Sequence, residues 1–255
     1  MKVHLDFETR SAVPIKTAGS VRYAMDPTTE VLLARWCIED EWGRGPIEGW
    51  RRGDPPPARL IAAVASGATV CAHNALFELA IWTYVCERMG WGKLSPHQMD
   101  CTMARAHIMS LLGSLDGVTT LMRVKHKKNP AGKALIQFFC VPRKPTKTED
   151  PNKIYWHEPE DYPDKFNEFD VYCGDDVEAE CDIDTTLPQM SDSERDIYHF
   201  DLVVNMRGFR LDTQMMRRAD AFLDEAKRRV DIEIDRVTEG AVPKTTQVQR
   251  LKDWL

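Results

Sequence analysis

Hydrophobic and polar positions alternate along KVHLDFET, near the start of the chain, the period-2 pattern of a strand with two different faces. EVLLARWCIED (30–40) is a second apolar run of β type, and GPIEGW is a weaker third. Pro55, Pro56 and Pro57 break the chain, and ARLIAAVAS then carries helical periodicity up to Gly67. TVCAH (69–73) reads as a buried strand. Asn74 follows it as a good N-cap for a helix over ALFELAIWTYVCERMG, with Glu78 in the first turn and Gly90 at the end.

The pattern predicts a helix over DCTMARAHIMSLL (100–112) and another starting near Ser114. The stretch from Asn129 to Pro163 is rich in turn residues, holds one short helix and reads as a long functional loop region. Residues 164–187 are expected to form one long helix in spite of Gly174. Beyond Pro188 the pattern is almost wholly helical, so a boundary is placed near Pro188–Ser191. It separates an α/β domain (1–190) from a helical extension (191–255).

Composition adds little to this until it is read locally. Hydrophobic residues make up 43% and charged residues 29%, the balance of an ordinary globular chain. There is no apolar run of membrane-spanning length, and MKVHLDFETR lacks the apolar core of a signal peptide, so a cytoplasmic protein is expected. The seven cysteines are scattered without a Cys-x-x-Cys pair, which argues against a disulfide framework and against a cysteine-ligated zinc site. The net charge of −6 hides an asymmetry. Residues 119–148 carry Arg123, Lys125, Lys127, Lys128, Lys133, Arg143, Lys144 and Lys147 and no acid, whereas residues 151–184 hold twelve acids and two lysines. That pattern suits binding of an anionic polymer at one place and of cations at another.

Three acidic places lie at structural junctions. Asp6 and Glu8 alternate onto one face of the first strand, about 7 Å apart by strand rise. Two carboxylates there repel each other unless a cation neutralises them. Glu78 follows Asn74 and Phe77 at a strand-to-helix junction. Tyr172 and Asp176 are four apart and share a helical face, whereas Asp175 turns about 100° away. Asp175, Glu178 and Glu180 are accordingly expected to be surface charge.

In this order, Asp-x-Glu on a strand, Asn-x-x-Phe-acid at a helix start and Tyr-x-x-x-Asp on a late helix resemble the three exonuclease motifs of the DEDD superfamily, tyrosine subclass. AHNALFELAIW, DCTMARA, GKALIQFF and YCGDDVEAE resemble the proofreading domain of family A DNA polymerases of phage type. SERDIYHFDLVVNMRGFRLD and TTQVQRLKDWL resemble the segment where such an enzyme passes into its polymerase region. The resemblance implies an α/β, RNase H-like mixed sheet flanked by helices with a C-terminal all-helical extension. It implies a monomer, no membrane, and two divalent ions, Mg²⁺ or Mn²⁺, held by Asp6, Glu8, Glu78 and Asp176. Tyr172 matches the water-positioning tyrosine. Glu78 stands where the pattern has Asp, and activity is expected to survive the longer arm.

The implied reaction releases nucleoside 5′-monophosphates from the 3′ end of single-stranded DNA. Thr9, Asn74 and Phe77 would contact the terminal nucleotide, and Arg123 and Lys133 the phosphates. The polymerase domain itself is missing from this stretch of chain, which reads as a fragment. An RNase D-like exoribonuclease, or a catalytically weakened domain that binds primer ends, remain open alternatives.

Overall fold

The computed structural model describes residues 1–126 and 132–255. The basic tract's Lys127 and Lys128 lie outside the described residues. The chain divides into two compact units, Met1–Arg207 and Gly208–Leu255.

The first unit is built on a mixed sheet. Its strands are β1 (Lys2–Arg10), β2 (Glu30–Asp40), β3 (Gly43–Arg44), β4 (Glu48–Arg51), β5 (Thr69–Ala72) and β6 (Met99–Cys101). They lie in the order β3-β2-β1-β5-β6, with β4 also paired to β2. β1 is antiparallel to β2 and parallel to β5, and β5 is parallel to β6. The opening strand is therefore central.

The helices of this unit are α1 (Ile15–Met25), α2 (Ala58–Ala65), α3 (Ala75–Ile81), α4 (Thr102–Ile108), α5 (Leu115–Met122), α6 (Gly132–Phe139), α7 (Pro163–Thr186) and α8 (Asp192–Arg207). The sequence pattern did not reveal α1, whose helix is interrupted at Gly19 (φ 74°). The helix expected up to Gly90 stops at Ile81 and continues as a π turn (Trp82–Cys86) and a 3₁₀ turn (Glu87–Met89). The helix expected over 100–112 begins with the short strand β6, and only Thr102–Ile108 is helical.

The alternation in β1 fixes what lies on each side of the sheet. Val3, Leu5 and Phe7 enter the main core with Leu79, Trp82 and Trp91. The even residues face the other way, onto α7, and cross-strand pairing sets Lys2 opposite Glu39, His4 opposite Cys37 and Asp6 opposite Arg35. α7 runs antiparallel along this polar face. Asp184 accepts from Lys2 Nζ at 2.7 Å, Glu180 Oε2 lies 2.5 Å from His4 Nδ1, and Cys173 Sγ sits 3.4 Å from Asp6 Oδ2. Four helical residues rise about 6 Å and two strand residues about 7 Å, so a stripe at every fourth helical position meets alternate strand positions. The acids of α7 are thus matched to β1.

This corrects part of the sequence reading. Glu180 is buried rather than a surface charge, and Glu178 is half-buried and pairs with Arg44 at 3.1 Å. Asp175 is half-buried as well. α8, placed with the extension by its pattern, packs within the first unit. His199 Nε2 lies 2.9 Å from the Met99 carbonyl, and Leu202 is buried in the main core.

The second unit contains α9 (Thr213–Val237) and α10 (Val248–Trp254). Asp212 caps α9 by accepting from Met215 N at 2.8 Å, and Asp231 accepts from both Thr245 N and Thr245 Oγ1. No helix among the described residues is long and apolar enough to cross a membrane.

Candidate active site

Three elements bring the predicted acids together. β1 supplies Asp6 and Glu8, α3 supplies Glu78 and α7 supplies Tyr172 and Asp176. A β-bulge between Glu8 and Thr9 re-aims the end of β1 beside these groups. Oxygen atoms of Asp6 and Glu8 and the Cys173 sulfur all fall within 4.8 Å of one another.

Glu78 is 3% exposed, and its Oε2 has no hydrogen-bond partner among the described residues. Burial pushes its carboxyl well above the usual range, and the charge on Asp6 pushes it further. Burial likewise raises the Tyr172 phenol, helped by the charges on Asp176, Glu8 and Asp6. Asp6 thus acts on both Glu78 and Tyr172, and Glu8 and Asp176 act on Tyr172, although the sequence separates these groups by up to 170 positions.

Tyr172 is fixed by packing. Its ring stacks on Phe169 with centroids 6.1 Å apart, in a cluster with Leu32, Leu33, Leu135 and Phe139. Gly132, at the start of α6, lies against the ring's edge so closely that a β-carbon there would overlap Cε2 and Cζ.

Two cavities open beside the carboxylates. One of about 330 Å³ is lined by Asp6, His73, Asn74, Ser114, Asp176 and Glu180. The other, about 290 Å³, is lined by Glu8, Thr9, Tyr23, Phe77, Ile136 and Cys140 among others. Phe77 and Tyr23 form an aromatic wall with centroids 6.0 Å apart, and the Tyr23 hydroxyl lies 2.9 Å from Thr9 Oγ1.

Asn74 does not cap α3 with its side chain. It adopts left-handed backbone angles (φ 81°, ψ 49°), which Asn tolerates better than most residues, and lines the first cavity instead. Of the predicted phosphate contacts, Lys133 is exposed on α6 next to Gly132, and Arg123 is exposed at the C-terminal end of α5. Neither lines the two cavities. Tyr23, His73, Cys173 and Glu180 were missed as neighbours of the site. Tyr23 lies on the helix that the periodicity did not show. Glu180 had a signal, its place one helical turn beyond Asp176.

The arrangement is an oxygen-rich cleft with an aromatic slot at one side. Oxygen ligands of this kind suit a hard divalent cation.

No protein-family model matches the chain, and no solved structure matches it. It is 32% identical over 254 residues to a protein named DNA polymerase from Bacillus phage SP02. The match takes in 98% of this chain, which spans 38% of the length of that curated relative. Almost end to end, the chain that carries this carboxylate cleft is similar to one part of a phage DNA polymerase.

Proposed function

We propose that the chain is a metal-dependent 3′→5′ exonuclease domain of RNase H-like fold, acting on DNA beside a polymerase. The observation that carries this reading is the convergence of Asp6, Glu8, Glu78 and Asp176 with Tyr172 from three separate elements. The mixed sheet with β1 at its centre and the similarity to a phage DNA polymerase support it.

The residues fit a pair of divalent cations. Asp6 and Asp176 line one cavity and Glu8 the next, and the buried Glu78, raised by the Asp6 charge, has an Oε2 with no hydrogen-bond partner among the described residues. Asp6, Glu8, Glu78 and Asp176 would hold the ions. Bound there, Mg²⁺ or Mn²⁺ makes a water nucleophilic at neutral pH and neutralises charge on the scissile phosphate and the leaving oxygen.

The protein's own groups do the rest. Tyr172 keeps its proton because burial and three carboxylates raise its pKa, so it orients the attacking water by a hydrogen bond and does not act as the base. Phe77 and Tyr23 offer a wall on which the terminal base can stack without sequence preference. Thr9, held by the Tyr23 hydroxyl, stands at the mouth of the same slot. Asn74 lines the other cavity together with Asp6 and Asp176.

Incubation with 5′-labelled single-stranded DNA and Mn²⁺ tests the reading. Stepwise shortening with release of 5′-mononucleotides, stopped by chelator, is expected. No shortening with Mn²⁺ or Mg²⁺ would sink it, and faster shortening of RNA of the same sequence would favour an exoribonuclease.

A further inference from the structure

We infer that the chain holds a second, separate cation site for a thiophilic ion of the zinc class, built from His4, Cys37, Cys181 and Glu39 behind the carboxylate cleft. Spacing along the chain argues against such a site, because its two cysteines are 144 positions apart and form no Cys-x-x-Cys pair. The fold brings them together. His4 and Cys37 are directly opposed across β1 and β2, and Cys181 descends on them from α7. One ligand atom from each of these three residues falls within 4.8 Å of the others.

The two sulfurs lie 3.4 Å apart, within reach of one ion bonded to both at about 2.3 Å. Glu39 follows Cys37 by two positions and so shares its face of β2. Its Oε2 is 3.3 Å from His4 Nε2 but stands outside the 4.8 Å grouping of the other three atoms, so its half-exposed side chain would swing in as the fourth ligand. The other ring nitrogen, Nδ1, is engaged by the buried Glu180 carboxylate at 2.5 Å. A carboxylate on the far nitrogen is the arrangement that orients a metal-ligating imidazole and raises its basicity.

The donor set also separates this site from the cleft. Two sulfurs, one imidazole and one carboxylate select Zn²⁺ or Co²⁺ over Mg²⁺, whereas the cleft presents mainly oxygens. Of the four proposed ligands, Glu39 reaches the surface, where it lines a depression with Asp40 and Glu41. Binding would displace the Nε2 proton and both thiol protons, while Nδ1 keeps its proton toward Glu180.

Cobalt gives an optical test that does not depend on nuclease activity. The chain, stripped of metal and kept under a thiol-free reductant, is titrated with Co²⁺. With excess Mg²⁺ present to fill the carboxylate cleft, one Co²⁺ per chain is expected to give a thiolate-to-cobalt charge-transfer band and the visible bands of a tetrahedral ion. Zn²⁺ should remove these bands and excess Mg²⁺ should not. Cys37→Ser and Cys181→Ser should each weaken the charge-transfer band, whose intensity scales with the number of bound thiolates, and the two changes combined should remove it. Cys86→Ser, elsewhere in the core, and Asp6→Asn, in the cleft, should keep it. Glu39→Gln changes only the half-exposed rim and should weaken Co²⁺ binding on the order of tenfold. A wild-type protein without the sulfur band, or a band that survives Cys37→Ser and Cys181→Ser combined, overturns the inference. If the serine variants do not fold, unchanged affinity in Glu39→Gln overturns it. Failure here leaves the exonuclease reading intact, because the cleft's activity is measured separately.

Discussion

The phenol ring of Tyr172 packs directly on the α-carbon of Gly132, leaving no room for even a methyl group between α6 and α7. The start of α6 therefore sets the position of the phenol. Gly132→Ala should cost about 1–3 kcal/mol through overpacking. It should also displace the hydroxyl, and misplacement by about 1 Å is worth about 10²-fold in rate. The expected outcome is a folded protein whose cleavage rate falls to near that of Tyr172→Phe. Thermal melts beside single-turnover kinetics check this, and a Gly132→Ala enzyme with full rate would show that the contact does not position the phenol.

Asp6 is the charge that most strongly raises Glu78 after burial itself. Removing it should abolish cleavage, because a ligand is lost, while relieving the repulsion between two carboxylates. Asp6→Ala is therefore expected to be inactive yet to melt no lower than wild type in chelator. A variant that kept most of its rate would break the ligand assignment. One that lost several degrees of Tm would show that Asp6 has a structural role instead.

Glu78 gives a pH dependence with a definite sign. Its folded pKa lies well above the ordinary 4.5, so between the two values the folded state holds a proton that the unfolded state has lost. Stability in chelator should then fall as pH rises above about 4.5 toward the folded value. Glu78→Gln, which keeps the shape without the charge, should flatten that slope and melt higher than wild type at neutral pH. Added Mn²⁺ should raise the melting temperature of the wild type and not that of the variant. Denaturation across pH, with and without metal, measures both effects.

The aromatic slot makes a prediction about binding. Stacking of a base on an aromatic side chain is worth about 1–3 kcal/mol. Phe77→Ala should therefore raise KM for single-stranded DNA by about one to two orders of magnitude with a smaller change in kcat. Phe77→Trp should restore affinity. Loss of kcat alone would mean that Phe77 supports Glu78, its neighbour on α3, and does not contact substrate.

Much of this architecture was legible because it rests on short-range pattern. The alternation in β1 put Asp6 and Glu8 on one face, and helical spacing put Tyr172 with Asp176. What stayed hidden depended on which face of α7 is buried. An acid-rich helix normally turns its charges to water, so Glu180 read as surface. Its buried partner, His4, lies 176 positions away, and only the antiparallel docking of α7 on β1 reveals the match. Tyr23 stayed hidden for a local reason: α1 is broken at Gly19, and its two short pieces carry no clear amphipathic signal. Asn74 kept its place at the start of α3 and lost its expected role, because the left-handed backbone turns the side chain away from the cap.

The pairing of His4 with Glu180 can be tested by stability alone, in chelator. Burial, the largest single effect, would lower the imidazole's pKa, but the Glu180 charge, the hydrogen bonds to Cys181 and Glu180 and the Cys181 charge together outweigh it, and the group is pushed up to about 11. A raised folded pKa means that this pair's contribution is complete below about pH 6.5 and is lost as pH climbs toward 11. Glu180→Ala leaves a buried imidazole without its counter-charge and should cost about 3–5 kcal/mol at pH 6. The cost should shrink steadily at higher pH. A double variant, His4→Phe with Glu180→Leu, removes both charges and should be more stable than Glu180→Ala. If the single variant lost less than 1 kcal/mol, as is usual for an exposed carboxylate, the burial of Glu180 on β1 would be refuted. The docking of α7 along β1, which carries Asp176 to the cleft, would fall with it.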